Sequence, residues 1–176
     1  SSTWIANSLD EDRLAAATRT LAPAQSALAT CYDVEPIGFA PAGGSCVSLM
    51  TLQYASAWDG IDPSDDARTK HVYAETLLDL MEVIAPSVRE VIEEVDVATP
   101  LTMSHYLGQP GGAIYGFEQD ATESWLFRNA EGEPVPGLHL AGAWTGMGGF
   151  QPTLEGGARV ARRMLRDAAR PRGATA

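Results

Sequence analysis

Four glycines within eight residues, Gly142, Gly146, Gly148 and Gly149, separate an apolar stretch from a long helical pattern. Leu138, His139, Leu140 and Ala141 have the character of a buried strand. Pro152 suits the first position of a helix, and the helical pattern continues to about Ala169. The sequence therefore predicts a strand, a loop stripped of side chains, and a helix. A bare backbone lets a flat or anionic ligand approach closely. The following helix directs unpaired N–H groups and the positive end of its dipole at whatever fills the loop. A tight strand-to-helix turn with no ligand satisfies the same spacing. The dinucleotide fingerprint Gly-x-Gly-x-x-Gly does not, because Gln151 stands where its third glycine would follow Gly146 and Gly148.

The rest of the chain reads as mixed secondary structure. Ser8 and Glu11 have the spacing of a capping box, opening an Ala-rich helix over residues 11–21 that Pro23 ends. Residues 31–43 look irregular, and residues 45–55 suit a half-buried strand. Ser64, with Asp65 and Asp66 behind it, is expected to cap the clearest helix. Val72, Leu77, Leu78, Leu80, Met81 and Ile84 would form its apolar face, and Pro86 stops it. Ser87 and Glu90 suggest a second capping box, with a helix to about Glu94. Residues 95–98 suggest a short strand, residues 108–112 a turn and residues 131–137 a polar loop.

Length and charge exclude some classes. The chain has 176 residues, enough for one ordinary domain, and a net charge of −11. That is a poor match to a nucleic-acid or anionic-membrane binder acting through bulk charge. The imbalance is uneven: residues 1–100 hold 16 acids and 5 bases, and residues 101–176 hold 7 of each. The arginines at 159, 162, 163, 166, 170 and 172 read as a solvated helix face or as a docking surface. No apolar run approaches the ~18 residues of a membrane span. Cys31 and Cys46 are too few for a disulfide framework or a four-cysteine zinc site, and no histidine pair has ligand spacing, so no metal is expected. The start, Ser1-Ser2-Thr3-Trp4, has neither the basic nor the apolar region of a signal peptide, and a cytoplasmic location is expected.

Two blocks of text resemble a known family. The first runs Thr99-Pro100-Leu101-Thr102, then Tyr106-Leu107-Gly108, then Pro110-Gly111-Gly112-Ala113-Ile114-Tyr115-Gly116-Phe117-Glu118. The second is Gly142-Ala143-Trp144-Thr145-Gly146-Met147-Gly148-Gly149-Phe150-Gln151-Pro152. In this order they resemble the C-terminal part of FAD-dependent oxidoreductases of the phytoene desaturase, carotenoid isomerase and retinol saturase type. The resemblance covers about residues 96–165.

The resemblance implies an α/β (α+β) fragment of a two-domain flavoenzyme that lacks the N-terminal Rossmann unit. Residues 1–135 would be a substrate-domain portion, and residues 136–176 the closing strand and helix of the FAD-binding domain. FAD would lie against Gly142, Ala143, Trp144, Thr145, Gly148, Gly149, Phe150, Gln151, Pro152 and Thr153. Gln151 and Thr153 would offer backbone N–H groups, since Pro152 has none. Ala143 replaces the aspartate many relatives carry there. Tyr106, Tyr115 and Phe117 would line a cleft for a small apolar, polyene-like substrate, or serve as ordinary core aromatics. His105 is the one histidine singled out for activity; His71 and His139 read as structural. Glu155 suits the helix dipole. A separate Rossmann-type chain would complete a heteromer, with no nucleic acid and with membrane contact only through the substrate. The alternatives are an amine- or amino-acid-oxidising flavoenzyme and a non-catalytic subunit that stabilises a flavoprotein.

Overall fold

The computed structural model describes residues 1–34, 38–62, 64–119, 124 and 135–169. The chain divides into two compact units, Ser1–Gly112 and Ala113–Ala176.

The first unit is built on a three-stranded antiparallel sheet in the order β1 (Ser2–Ala6), β2 (Ser26–Cys31), β3 (Val47–Met50). Ile5 lies opposite Ala27, and Ala29 lies between Thr3 and Leu49. These residues share one face, because side chains alternate along a strand. Ile5, Ala27 and Ala29 are buried and join Ala24, Trp58, Tyr73 and Leu80 in the core. Tyr73 and Leu80 come from α2 (Asp66–Glu82), which packs on β1 and β2. Alanines on the inner face of β2 give the helix room to approach. The same alanines have low strand propensity, which is why β2 falls in text that reads as featureless.

Gln53 ties this unit together. Its side-chain amide donates to the Thr20 carbonyl and the Tyr73 hydroxyl, each at 2.8 Å. Its carbonyl accepts the Trp58 indole N–H at 2.8 Å. Trp58 closes a 3-10 turn (Ala55–Trp58) and meets Tyr73 edge to face, with ring centroids 5.7 Å apart. Burial pushes the Tyr73 phenol above its ordinary pKa.

Several sequence expectations shift. The first helix, α1 (Glu11–Ala17), is capped by Asp10, whose carboxylate accepts the Arg13 N–H at 3.2 Å. Ser8 instead accepts the Asp10 N–H, and the helix stops short of Leu21. Ser64 does not cap α2: it donates its N–H and hydroxyl to Asp62, holding that carboxyl below its usual range. On α2, Val72 is exposed and Tyr73 with Leu80 fills the buried face, while Ile84 lies past the end of the helix and is exposed. Beyond Pro86 only a 3-10 turn forms (Val88–Glu90), with Ser87 in the left-handed region at φ 66. Arg89 there reaches back to Glu75, Asp79 and Glu82 on α2, and its pKa rises, first through the hydrogen bond to Glu75. Residues 95–98 form no strand. Next comes α3 (Pro100–Leu107), opened by a capping box between Thr99 and Thr102.

In the second unit the described elements are a 3-10 turn (Ala143–Thr145) and α4 (Phe150–Ala168). Residues 138–141 are not a strand, and Leu138 and Leu140 are about half exposed. A strand needs a neighbour for its backbone groups, and among the described residues none pairs with this segment. The architecture is mixed α+β, with its sheet in the first unit. The expected polar loop falls mostly outside the described residues.

Candidate functional site: the glycine loop

The loop over residues 142–149 is held from within and from one side. Thr145 turns back on Gly142, whose carbonyl accepts both the Thr145 N–H at 3.2 Å and its hydroxyl at 2.9 Å. Against the loop lies the segment over residues 115–117. A Cβ at Gly148 would overlap the Tyr115 carbonyl and sit 2.6 Å from the Tyr115 Cα. A Cβ at Gly116 would sit 2.5 Å from the Ala143 carbonyl oxygen. Each segment thus carries a glycine where the other's backbone presses closest. The Trp144 ring meets Phe117 edge to face, with centroids 4.8 Å apart.

The remaining glycines behave differently. A Cβ at Gly142 or Gly146 would meet nothing within 4 Å. Backbone is therefore bare on an open side of the loop; Gly148 is required by the close approach and Gly142 by its φ of 129, whereas neither space nor backbone conformation demands a glycine at 146.

Helix α4 starts at Phe150, two residues before the expected position, so Pro152 is third in the helix. Gly149 at its head supplies no side-chain cap. The Thr153 N–H donates to the Gly149 carbonyl at 3.2 Å. The Thr153 amide thus has a partner at the head of the helix. The amides left without a helical partner are those of Phe150 and Gln151. The Phe150 ring is 95% exposed. Glu155 accepts a hydrogen bond from the Gln151 side chain at 2.9 Å, so its role goes beyond the dipole.

The other candidates separate between the units. Tyr115 and Phe117 belong with the loop, each about half exposed. His105 and Tyr106 lie on α3 in the first unit, ring against ring at 5.0 Å, with Tyr106 80% exposed. His71 lies on α2, its Nδ1 2.6 Å from the Ala67 carbonyl oxygen. Cys31 pairs with Val47 while Tyr32 bonds to Cys46, so the two cysteines project from opposite faces of the sheet. The interlock between residues 115–117 and the loop was not foreseen. Its sequence signal was Gly116, set between two aromatic residues.

No protein-family model matches the chain, and no solved structure matches it significantly. Curated proteins do match over part of it. The chain is 30% identical over 96 residues to all-trans-retinol 13,14-reductase of Danio rerio, covering 53% of this chain and 16% of that protein. It is 30% identical over 115 residues to pyridine nucleotide-disulfide oxidoreductase domain-containing protein 2 of Rattus norvegicus, covering 62% and 20%. It is 35% identical over 115 residues to the neurosporene-forming phytoene desaturase of Rhodobacter capsulatus, covering 64% and 21%. The chain thus spans about a sixth to a fifth of these relatives, and over part of its length it is related to oxidoreductases. Among the described residues, no helix is long and apolar enough to cross a membrane.

Proposed function

We propose that this chain is the C-terminal portion of an FAD-dependent oxidoreductase acting on an apolar, polyene- or retinoid-like substrate. The observation that carries the reading is the bare backbone at Gly142 and Gly146, open to close approach, beside the amides of Phe150 and Gln151, which have no partner among the described residues. The residues present fit a dinucleotide's flavin-side half. The loop would take its backbone contacts, and the head of α4 would place partial positive charge beside an electron-rich ring edge. FAD, when bound, would supply the two-electron redox chemistry. Trp144 would form the loop wall that Phe117 backs, and Tyr115 and Phe117 would stand nearest the substrate side. The nucleotide half would be held elsewhere, by a Rossmann-type segment or a separate chain carrying the Gly-x-Gly-x-x-Gly fingerprint. The names of the partial relatives support an oxidoreductase acting on retinoids or carotenoid precursors.

The test is co-purification with a polypeptide that carries the fingerprint, followed by flavin absorbance and FAD titration. The pair should bind FAD. Gly146→Val adds a side chain that the fold leaves room for, so its cost should fall on the ligand. FAD affinity should drop by about tenfold or more, worth roughly 1.4 kcal/mol, while the unit Ser1–Gly112 melts as before. Equal affinity in the variant would remove the loop from the site. Tight FAD binding by the chain alone, as a monomer, would end the two-part reading.

A further inference from the structure

We propose that residues 115–117 are a positioning element for the glycine loop, fixing its shape so that Gly142 and Gly146 stay bare and presented. This rests on the flavin reading above for the identity of the ligand, but not for the coupling itself.

The argument is geometric. A loop with four glycines in eight residues is entropically expensive to hold in one conformation. Within the loop, Thr145 bonds to Gly142 and fixes the first turn. The other half is pressed from outside. Gly148 lies so close to the Tyr115 backbone that no side chain fits, and Gly116, at φ 84, presses equally on the Ala143 carbonyl. Two reciprocal close approaches define a register: sliding residues 115–117 by one position either way would bring the Cβ of Tyr115 or Phe117 onto the Ala143 backbone, and sliding the loop so that Met147 replaces Gly148 would bring a Cβ onto Tyr115. The Phe117–Trp144 pair, at 90° between ring planes, then clamps that register laterally. Phe117 is therefore committed to Trp144 on one side. Its effect on a ligand passes through the loop, which makes it a positioning residue.

The test measures hydrogen exchange of the amides over residues 142–149 in the whole chain, beside FAD titration of the chain with its fingerprint-bearing partner. Phe117→Ala should speed loop exchange by roughly twofold to tenfold, the range for losing one edge-to-face pair. Exchange in Ser1–Gly112 should not change. Trp144→Ala should do the same, and the double variant should be no worse than either single one. Phe117→Tyr keeps the ring and should restore both slow exchange and FAD affinity, whereas Phe117→Ala should weaken FAD in step with the loosened loop. Unchanged loop exchange in Phe117→Ala, or additive effects in the double variant, would overturn the proposal. So would a loosened loop that binds FAD as tightly as before. A loop that responds as expected in a pair that binds no FAD would overturn the flavin reading and leave the coupling standing.

Discussion

The two compact units keep their shapes by different means. Ser1–Gly112 buries apolar side chains: Leu80 is 2% exposed, Trp58 3% and Ile5 5%. Gln53 pairs the polar groups of Trp58 and Tyr73 and the Thr20 carbonyl inside it, while Gln25 Oε1 and Asp66 Oδ1 are buried without a partner among the described residues. Among the described residues of Ala113–Ala176, no apolar side chain is buried to that degree, and Phe150, Leu154 and Leu165 are 95%, 74% and 72% exposed. Its glycine loop is held by the Thr145 turn, the Phe117–Trp144 pair and backbone fitted to backbone at Gly148 and Gly116. Burial gains free energy in proportion to area and tolerates some reshaping. A glycine interlock gains little area and tolerates no added atom. The first unit should therefore be vulnerable to losing atoms, and the second to gaining them.

Trp58→Ala puts the first half of that contrast under the greatest load. It empties a large buried site and leaves the Gln53 carbonyl without its donor, so the cost should reach about 3–5 kcal/mol. Urea unfolding followed by circular dichroism should show the sheet-bearing unit melting early. A loss below about 1 kcal/mol would mean that this core carries less of the stability than its burial indicates.

The second half is broken by one methyl. Gly148→Ala forces a Cβ onto the Tyr115 backbone, and neither side is a flexible chain end that can swing away. The expected cost is at least the ~1–3 kcal/mol typical of overpacking. It should fall on the second unit alone: fast amide exchange over residues 142–149, with the melting of Ser1–Gly112 unchanged. If both units loosened together, the division between burial-held and backbone-held regions would be wrong.

What could be read from the sequence follows the same division. Helix α2 was legible because its apolar spacing reports burial, although the pattern could not tell that Tyr73 would turn inward and Val72 outward. Helix α4 was legible because Pro152 and an uninterrupted helical run mark it, and its start was misplaced because Pro152 is tolerated at the third position as well as the first. Strand β2 is hidden in the sequence because alanine on an inner face carries no strand signal. The strand expected at residues 138–141 was read from apolar composition, but a strand is a property of a pair, and its partner is not among the described residues. The glycine loop was visible as a loop. Which of its glycines serve the fold and which are open depends on where residues 115–117 lie, and spacing along the chain holds no such information.

The smallest expected effect has the opposite sign, and it separates the units further. Gly157 sits inside α4, three residues from Leu154 and seven from Phe150, on the face that those exposed side chains share. A helix-interior glycine costs about 1 kcal/mol relative to alanine. Within the chain nothing offsets that cost, since a Cβ there would meet no atom within 4 Å. Gly157→Ala should thus raise the helicity of α4 in the isolated chain and slow its amide exchange. A free apolar face with a bare Cα near its middle is suited to another surface pressed close against it, as the proposed nucleotide-binding partner would be. The same alanine should then weaken co-purification with that partner while stabilising the helix that makes the contact. Stabilisation together with undiminished partner binding would show that the face is covered less closely than the glycine permits, and the partner would have to meet this chain elsewhere.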